Sequence, residues 1–177
     1  MKFEELKLIR LKPDTEILPF DCDDADLNGF LFEDAKNYAK NLIAVTYLIH
    51  DGKNTLAYFN YLNDKISHTD IGNIDKFIQR IGIHLPKEKS GHKSYPAVKI
   101  GRLAVTKDIQ ISGLGTKIIQ FTKNYFSTNN KTGCKFITVD AYKNSLGFYQ
   151  KMGFKYLSSR DKKSDTRLMY YNLESIT

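Results

Sequence analysis

The chain contains no tryptophan and only two cysteines, Cys22 and Cys134. Two cysteines far apart in sequence close at most one bridge, and they supply neither a disulfide framework nor a CxxC metal pattern. Histidine is scarce too: His50, His68, His84 and His92 include no H-x-x-x-H pair, which leaves a zinc site without support. Apolar runs stay far below the roughly 20 residues that cross a bilayer. Met1 to Glu5 carry acids where a secretory leader would have its apolar run. No membrane role is expected, and a reducing, cytoplasmic compartment is. Only 5 of the 27 basic residues are arginine (Arg10, Arg80, Arg102, Arg160, Arg167), which argues against a surface that reads bases with bidentate guanidinium forks.

What is present suffices for one domain over 1–177, with 41% hydrophobic and 12% aromatic residues to fill its core. The net charge of +7 is unevenly spread. Residues 1–90 carry 12 basic and 15 acidic groups, net −3, and residues 91–177 carry 15 and 5, net +10. The second half is the one suited to a polyanion: RNA, a membrane surface or a phosphorylated cofactor.

Lys7 to Leu11 reads as a strand stopped near Pro13. Leu27, Phe30, Leu31, Ala35, Tyr38, Ala39 and Leu42 recur at three and four, predicting a helix or helix pair with a bend at Gly29. Ile43 to Ile49 and Thr55 to Leu62 flank Asp51-Gly52-Lys53-Asn54 as a hairpin. A short helix, Ile74 to Ile81, sits in a polar excursion running from Ile66 to about Tyr95. Strands follow at Ala97 to Val105, Cys134 to Asp140, Phe154 to Leu157 and Leu168 to Leu173. Helices are expected at Ser112 to Phe126, with Leu114, Ile118, Phe121 and Tyr125 on one face, and at Asn144 to Met152. The class is α/β with a mixed sheet, without repeats.

Ile100 to Gly115, IGRLAVTKDIQISGLG, places a strand, a polar loop and two glycines before an amphipathic helix. Glycines let a backbone approach a ligand, and the free N–H groups of a helix start attract anions. The segment is neither a Rossmann fingerprint, since Ile118 stands at the third glycine, nor a P-loop, since no Gly-Lys-Ser/Thr follows. On the glycines alone, a helix start without a ligand remains equally open. Asp24-x-Asp26-x-Asn28-Gly29 imitates a calcium loop but has Ala35 where the bidentate glutamate belongs, so these acids are expected at a helix N-terminus, and no metal is expected. Lys162-Lys163 and the Lys87 to Lys93 cluster read as solvated loops rather than a phosphate clamp.

Gln110, Gly113 and Gly115 after GRLAV resemble the Q/R-x-x-G-x-G/A motif of the GNAT superfamily of acetyl-CoA-dependent N-acetyltransferases. VDAYKNSLGFYQKMGF, Val139 to Phe154, resembles its second signature of strand, Asn, and a Phe-Tyr helix ending at Gly-Phe. The resemblance implies a GNAT fold, a mixed and mostly antiparallel central sheet flanked by helices, with acetyl-CoA as co-substrate. It implies that Leu103, Ala104 and Val105 pair with the pantetheine arm. The amides of Ile111, Ser112, Gly113, Leu114, Gly115 and Thr116, next to Gln110, would hold the diphosphate; Asn144 would contact the pantetheine side. Tyr149 would face the thioester sulfur. Chemistry supports Tyr149 separately, because a leaving thiolate titrating near about 8.5 can take a proton from a phenol titrating near about 10. A purely structural place beside Phe148 is the alternative.

Phe20 to Ile49, FDCDDADLNGFLFEDAKNYAKNLIAVTYLI, is further similar to the GNAT branch containing toxins that acetylate the α-amine of aminoacyl-tRNA. That implies tRNA as acceptor and admits an antitoxin partner; a homodimer stays open. The strand Ala97 to Val105 carries Lys99 and Arg102 but no carboxylate base. An α-amine, titrating near about 7.7–8.0, needs less help than a lysine near about 10.4. Glu33, Asp64 and Asp140 acting through water remain candidate bases. A non-catalytic module binding RNA or an acyl-CoA is the alternative from another class, and an acetyltransferase of small-molecule or protein amines is the alternative within the same one.

Overall fold

The computed structural model describes residues 6–72, 74–81, 93–128 and 132–176. Its strands are β1 (Lys7–Arg10), β2 (Val45–His50), β3 (Thr55–Ser67), β4 (Ser94–Val105), β5 (Phe136–Tyr142), β6 (Lys155–Tyr156) and β7 (Thr166–Asn172). They form a seven-stranded sheet in the order β1-β2-β3-β4-β5-β7-β6. The pairs β1–β2, β2–β3, β5–β7 and β6–β7 are antiparallel. The helices are α1 (Ala25–Gly29), α2 (Ala35–Lys40), α3 (His68–Ile71), α4 (Ile74–Ile81), α5 (Leu114–Ser127) and α6 (Leu146–Lys151). Among the described residues no helix is long and apolar enough to cross a membrane. The chain divides into two compact units, Met1–Leu62 with Ile100–Thr122, and Asn63–Lys99 with Lys123–Thr177.

In the first unit the β2–β3 hairpin sets Leu48 opposite Tyr58 and Thr46 opposite Asn60. Side chains alternate along a strand, so these four share one sheet face. There Leu48 and Tyr58 join Leu11, Phe20, Phe30, Leu31 and Ala104 in a buried cluster. The other face of β3 receives α5, through Phe59 against Phe121 (centroids 6.2 Å apart) and a 2.7 Å hydrogen bond between the Tyr61 and Thr122 hydroxyls. The buried stripe of α5 is Leu114, Ile118, Ile119 and Thr122, while Phe121 and Tyr125 are 37% and 49% exposed. The expected face was therefore rotated. Hydrophobicity favoured the aromatics, but Thr122 tolerates burial because its hydroxyl also donates to the Ile118 carbonyl at 2.8 Å.

The helix predicted between residues 27 and 42 is continuous, with one widened turn. Asp24 caps α1 by accepting the Leu27 N–H at 3.0 Å. Gly29 has ordinary helical angles and makes no bend. The departure comes one residue later, in a π turn over Phe30–Asp34 closed by the Ala35 N–H on the Phe30 carbonyl. Helix α2 ends with Leu42 in the left-handed region (φ 57°) and the Ile43 N–H returning to Tyr38 at 2.9 Å.

The second unit packs Ile66, Ile81, Ala97, Phe136, Leu157 and Tyr170 together. Strands β5 and β7 pair over seven residues, from Phe136↔Asn172 to Tyr142↔Thr166. Strand β4 starts earlier than predicted, at Ser94, and Pro96, which has no N–H to give, contributes its carbonyl to the Lys135 N–H at 2.9 Å. The predicted excursion contains α3 and α4; residues 82–92, including His84, His92 and most of the lysine cluster, lie outside the described residues.

Candidate active site

The end of β4 and the turns that follow are clipped to the segment before α1. Thr106 donates through Oγ1 and Lys107 through its N–H to the Asp21 carbonyl, each at 2.9 Å. Lys107 Nζ adds contacts to the Asp21 and Asp23 carboxylates at 2.7 and 3.3 Å. This cation, with the Asp23 N–H and the Asn28 amide, holds the Asp21 carboxyl well below the usual range. A 3₁₀ segment, Lys107–Ser112, is kinked at Ile109 (φ −132°, ψ 15°) and ends at Gly113 in the left-handed region (φ 83°). The Gln110 side chain donates to the carbonyls of Cys22 (3.2 Å) and Val105 (3.4 Å), so it shapes this turn from within.

Helix α5 begins at Leu114, with no acid in its first turn. Its first N–H groups lack an i−4 partner, as at every helix start. A Cβ added to Gly113 would meet nothing within 4 Å. The turn therefore offers open space, unpaired donors and positive helix-end potential, which fits a diphosphate. Leu114 is buried, whereas Ser112 and Gly113 are exposed and Gly115 and Thr116 half-buried. Upstream, Ala104 is buried and Leu103 and Val105 are half-buried.

In the second unit, β5 runs into a 3₁₀ turn, Lys143–Ser145, and then α6. Asn144 is exposed and accepts the Ser145 hydroxyl at 3.2 Å. Tyr149 is buried (6% exposed), edge-on to Phe148 (5.1 Å) and Phe154 (5.4 Å). Its hydroxyl has no hydrogen-bond partner among the described residues, and burial pushes its pKa upward. The Gly-Phe ending has a physical basis. Gly153 (φ 80°) stands just past the helix end, its N–H on Gln150 at 2.9 Å and the Phe154 N–H on Tyr149 at 3.0 Å, a Schellman cap. Lys123 reinforces it by donating to the Met152 carbonyl at 2.6 Å while lying 3.8 Å from the Tyr171 ring centroid; burial lowers its pKa.

The three candidate bases differ in their engagement. Asp64 accepts the Thr138 hydroxyl at 2.5 Å, Asp140 is paired with Lys99 at 2.6 Å, and Glu33 lies exposed on the π turn. Among the described residues no three or more His, Cys, Asp or Glu side chains gather as a metal site. Cys22 and Cys134 are free thiols.

One feature was missed from sequence. Thr46 Oγ1, Asn60 Nδ2 and Arg102 Nε are buried without partners, on β2, β3 and β4 of the first unit. The available signal was a lone asparagine inside the otherwise apolar run Leu56 to Leu62. Asn60 Oδ1 accepts the Arg102 N–H at 2.8 Å, and a Cβ on Gly101 would lie 2.6 Å from the same oxygen. Arg102 nevertheless reaches Phe30, which stacks on Tyr58 of the same sheet face.

These features coincide with comparisons to known proteins. The family model described as "Acetyltransferase (GNAT) domain" matches residues 81–175, more than half of the chain. The chain belongs to that family and is an acetyltransferase. Solved structures confirm the fold at low sequence identity. AtaT complexed with acetyl-methionyl-tRNAfMet aligns with TM-score 0.76 and 21% identity, covering 97% of this chain and 96% of that one. A tyrosine-to-phenylalanine mutant of the AtaT toxin, bound to the C-terminus of the antitoxin AtaR and acetyl-CoA, gives 0.72 and 20%, covering 97% and 95%. A mutant of KacT of the same kind gives 0.74 and 22%, covering 97% and 96%. No curated protein matches the sequence.

Proposed function

We propose that the chain acts as one domain that moves an acetyl group from acetyl-CoA to the α-amine of an aminoacyl-tRNA, by direct attack in a ternary complex. The glycine turn carries this reading: Gly113 leaves open space in front of an α5 start without first-turn acids, inside the family's own signature. The amides from Ile111 to Thr116 would hold the diphosphate, with Gln110 bracing the turn. Leu103 to Val105 and Asn144 would take the pantetheine arm. A backbone N–H near Ala104 or Val105 would polarise the thioester carbonyl, an oxyanion-type role.

Tyr149 would donate its proton to the departing sulfur. A phenol is protonated through neutral pH, and burial keeps it so, which leaves the donor loaded when the thiolate departs. No side-chain nucleophile is needed. With Asp64 and Asp140 both engaged and Glu33 left as the free carboxylate of the three candidates, an α-amine that is already partly neutral is the acceptor that asks least of a base. The net charge of +10 on residues 91–177 suits RNA as well as the cofactor. Structural neighbours captured with acetyl-methionyl-tRNA and with an antitoxin support tRNA and antitoxin as partners. The test is transfer of labelled acetyl to aminoacyl-tRNA, with release of CoA thiol in step.

A further inference from the structure

Arg80 donates to the Leu157 carbonyl, Arg160 to Thr69 at 2.8 Å, and Arg167 to Asp161 and Ser158 at 2.8 and 3.0 Å. Arg102 differs. Its side chain is 28% exposed, yet its guanidinium makes no hydrogen bond with any described residue. Its nearest carboxylate is Asp26, at 3.8 Å and itself 63% exposed. A half-buried guanidinium left this way is expensive unless something else takes its donors.

The surroundings hold it in place rather than satisfy it. Its central carbon lies 3.9 Å from the centroid of Phe30, the first residue of the π turn. Its backbone N–H is held by the Asn60 side-chain oxygen at 2.8 Å. A π turn, common at functional sites, thus seats a cation whose Nε is buried without a partner and whose carboxylate contact is loose.

The sheet face identifies what it serves. Helix α5, whose start suits the cofactor diphosphate, packs on the Phe59 and Tyr61 face of β3. Arg102 lies on the opposite face, with Phe30 and Tyr58. Resting on the tRNA reading above, we propose that Arg102 binds a backbone phosphate of the acceptor's single-stranded end, displacing the loose contact from Asp26. A guanidinium fork matches a phosphate, and Phe30 pre-orients it.

The experiment measures acceptor KM for aminoacyl-tRNA acetylation between 50 and 200 mM salt, with saturating acetyl-CoA, and acetyl-CoA KM beside it. Wild type, Arg102→Gln, Arg102→Lys and Asp26→Asn are compared, each checked by thermal melt. Arg102→Gln should raise acceptor KM about tenfold and flatten the log–log salt slope by about 0.7, the share of one single-strand phosphate contact. Arg102→Lys should fall between, and Asp26→Asn should lower acceptor KM. Acetyl-CoA KM should stay within about twofold. A structural role would not move the salt slope. Wild-type transfer with unchanged slope and KM in the arginine variants overturns the assignment alone, as does an equal rise in acetyl-CoA KM. Absence of wild-type transfer to any aminoacyl-tRNA overturns the underlying reading together with it. Should Arg102→Gln not fold, Arg102→Lys and Asp26→Asn decide the matter by their opposite directions.

Discussion

Phe154 packs edge-on against Tyr149 with ring centroids 5.4 Å apart, and its backbone N–H bonds the Tyr149 carbonyl at 3.0 Å. The two residues are the hydrophobic pair of a Schellman cap, and Gly153 between them is what lets the chain close it. The catalytic candidate is thus held by its own helix end.

Replacing Gly153 tests that dependence. Its φ of 80° disfavours any side chain, and a Cβ would lie 3.3 Å from the Tyr171 ring. Gly153→Val should destabilise by about 2–3 kcal/mol and lower Tm by roughly 4–12 °C, with Gly153→Ala milder. Turnover at a temperature where the variant remains folded should fall as Tyr149 loses its seat. A thermal melt beside a CoA-release assay checks both.

Tyr149→Phe keeps the ring and removes the proton. A general acid contributes about 10² to 10⁴ in rate, so kcat should fall by that factor while Tm at neutral pH and acetyl-CoA affinity change little. A core-only tyrosine predicts near-normal turnover. Burial raises the folded-state pKa above the roughly 10 of an ordinary tyrosine. The protonated form is therefore favoured on folding, and its contribution is complete below pH 10 and lost as pH rises beyond it. Wild type should lose stability above about pH 10 more steeply than Tyr149→Phe, as measured by denaturant unfolding at a series of pH values.

Leu42 stands in the same kind of cap as Gly153, at φ 57° and 90% exposed. It gives up almost no packing on removal, while its left-handed backbone is strained. Leu42→Gly should stabilise by about 0.5–1 kcal/mol, after allowing for the freer unfolded chain, and raise Tm by roughly 1–4 °C. A lower Tm would show that Leu42 makes contacts that matter.

Acetyl-CoA at a hundredfold excess over its Kd should stabilise the fold by about 2.7 kcal/mol, raising Tm by roughly 5–11 °C. Gly113→Glu should abolish that rise by setting a carboxylate in the open space before α5. Gly113→Ala shares the backbone strain without the charge and should retain most of it. Equal shifts in all three would place the diphosphate elsewhere.

Local rules made much of this legible. The hairpin around Gly52, the strand ending at Val105 and the Gly-Phe helix end each follow from residues adjacent in sequence, and the structure places them within a few residues of expectation. Gly29 and the face of α5 were misread because both depend on partners distant in the chain: Phe30 widens its turn as it stacks on Tyr58, and Thr122 is buried because Tyr61 meets it. For Gln110 the motif implied a place beside the diphosphate, and the hydrogen bonds of its side chain to the Cys22 and Val105 carbonyls, which brace that turn, were not legible from the motif. Arg102 and Asn60 could not be paired from sequence, since 42 residues separate them and only the folded sheet brings the N–H of one onto the side chain of the other.

The most direct measurement of the central claim is acetylation of aminoacyl-tRNA by the purified chain with labelled acetyl-CoA, followed by mild alkaline release of the amino acid. The account predicts label on the released amino acid as its N-acetyl derivative, CoA thiol produced in equal amount, and no label on uncharged tRNA. Thiol production with label only on free small amines or protein lysines, and none on any aminoacyl-tRNA, would contradict it.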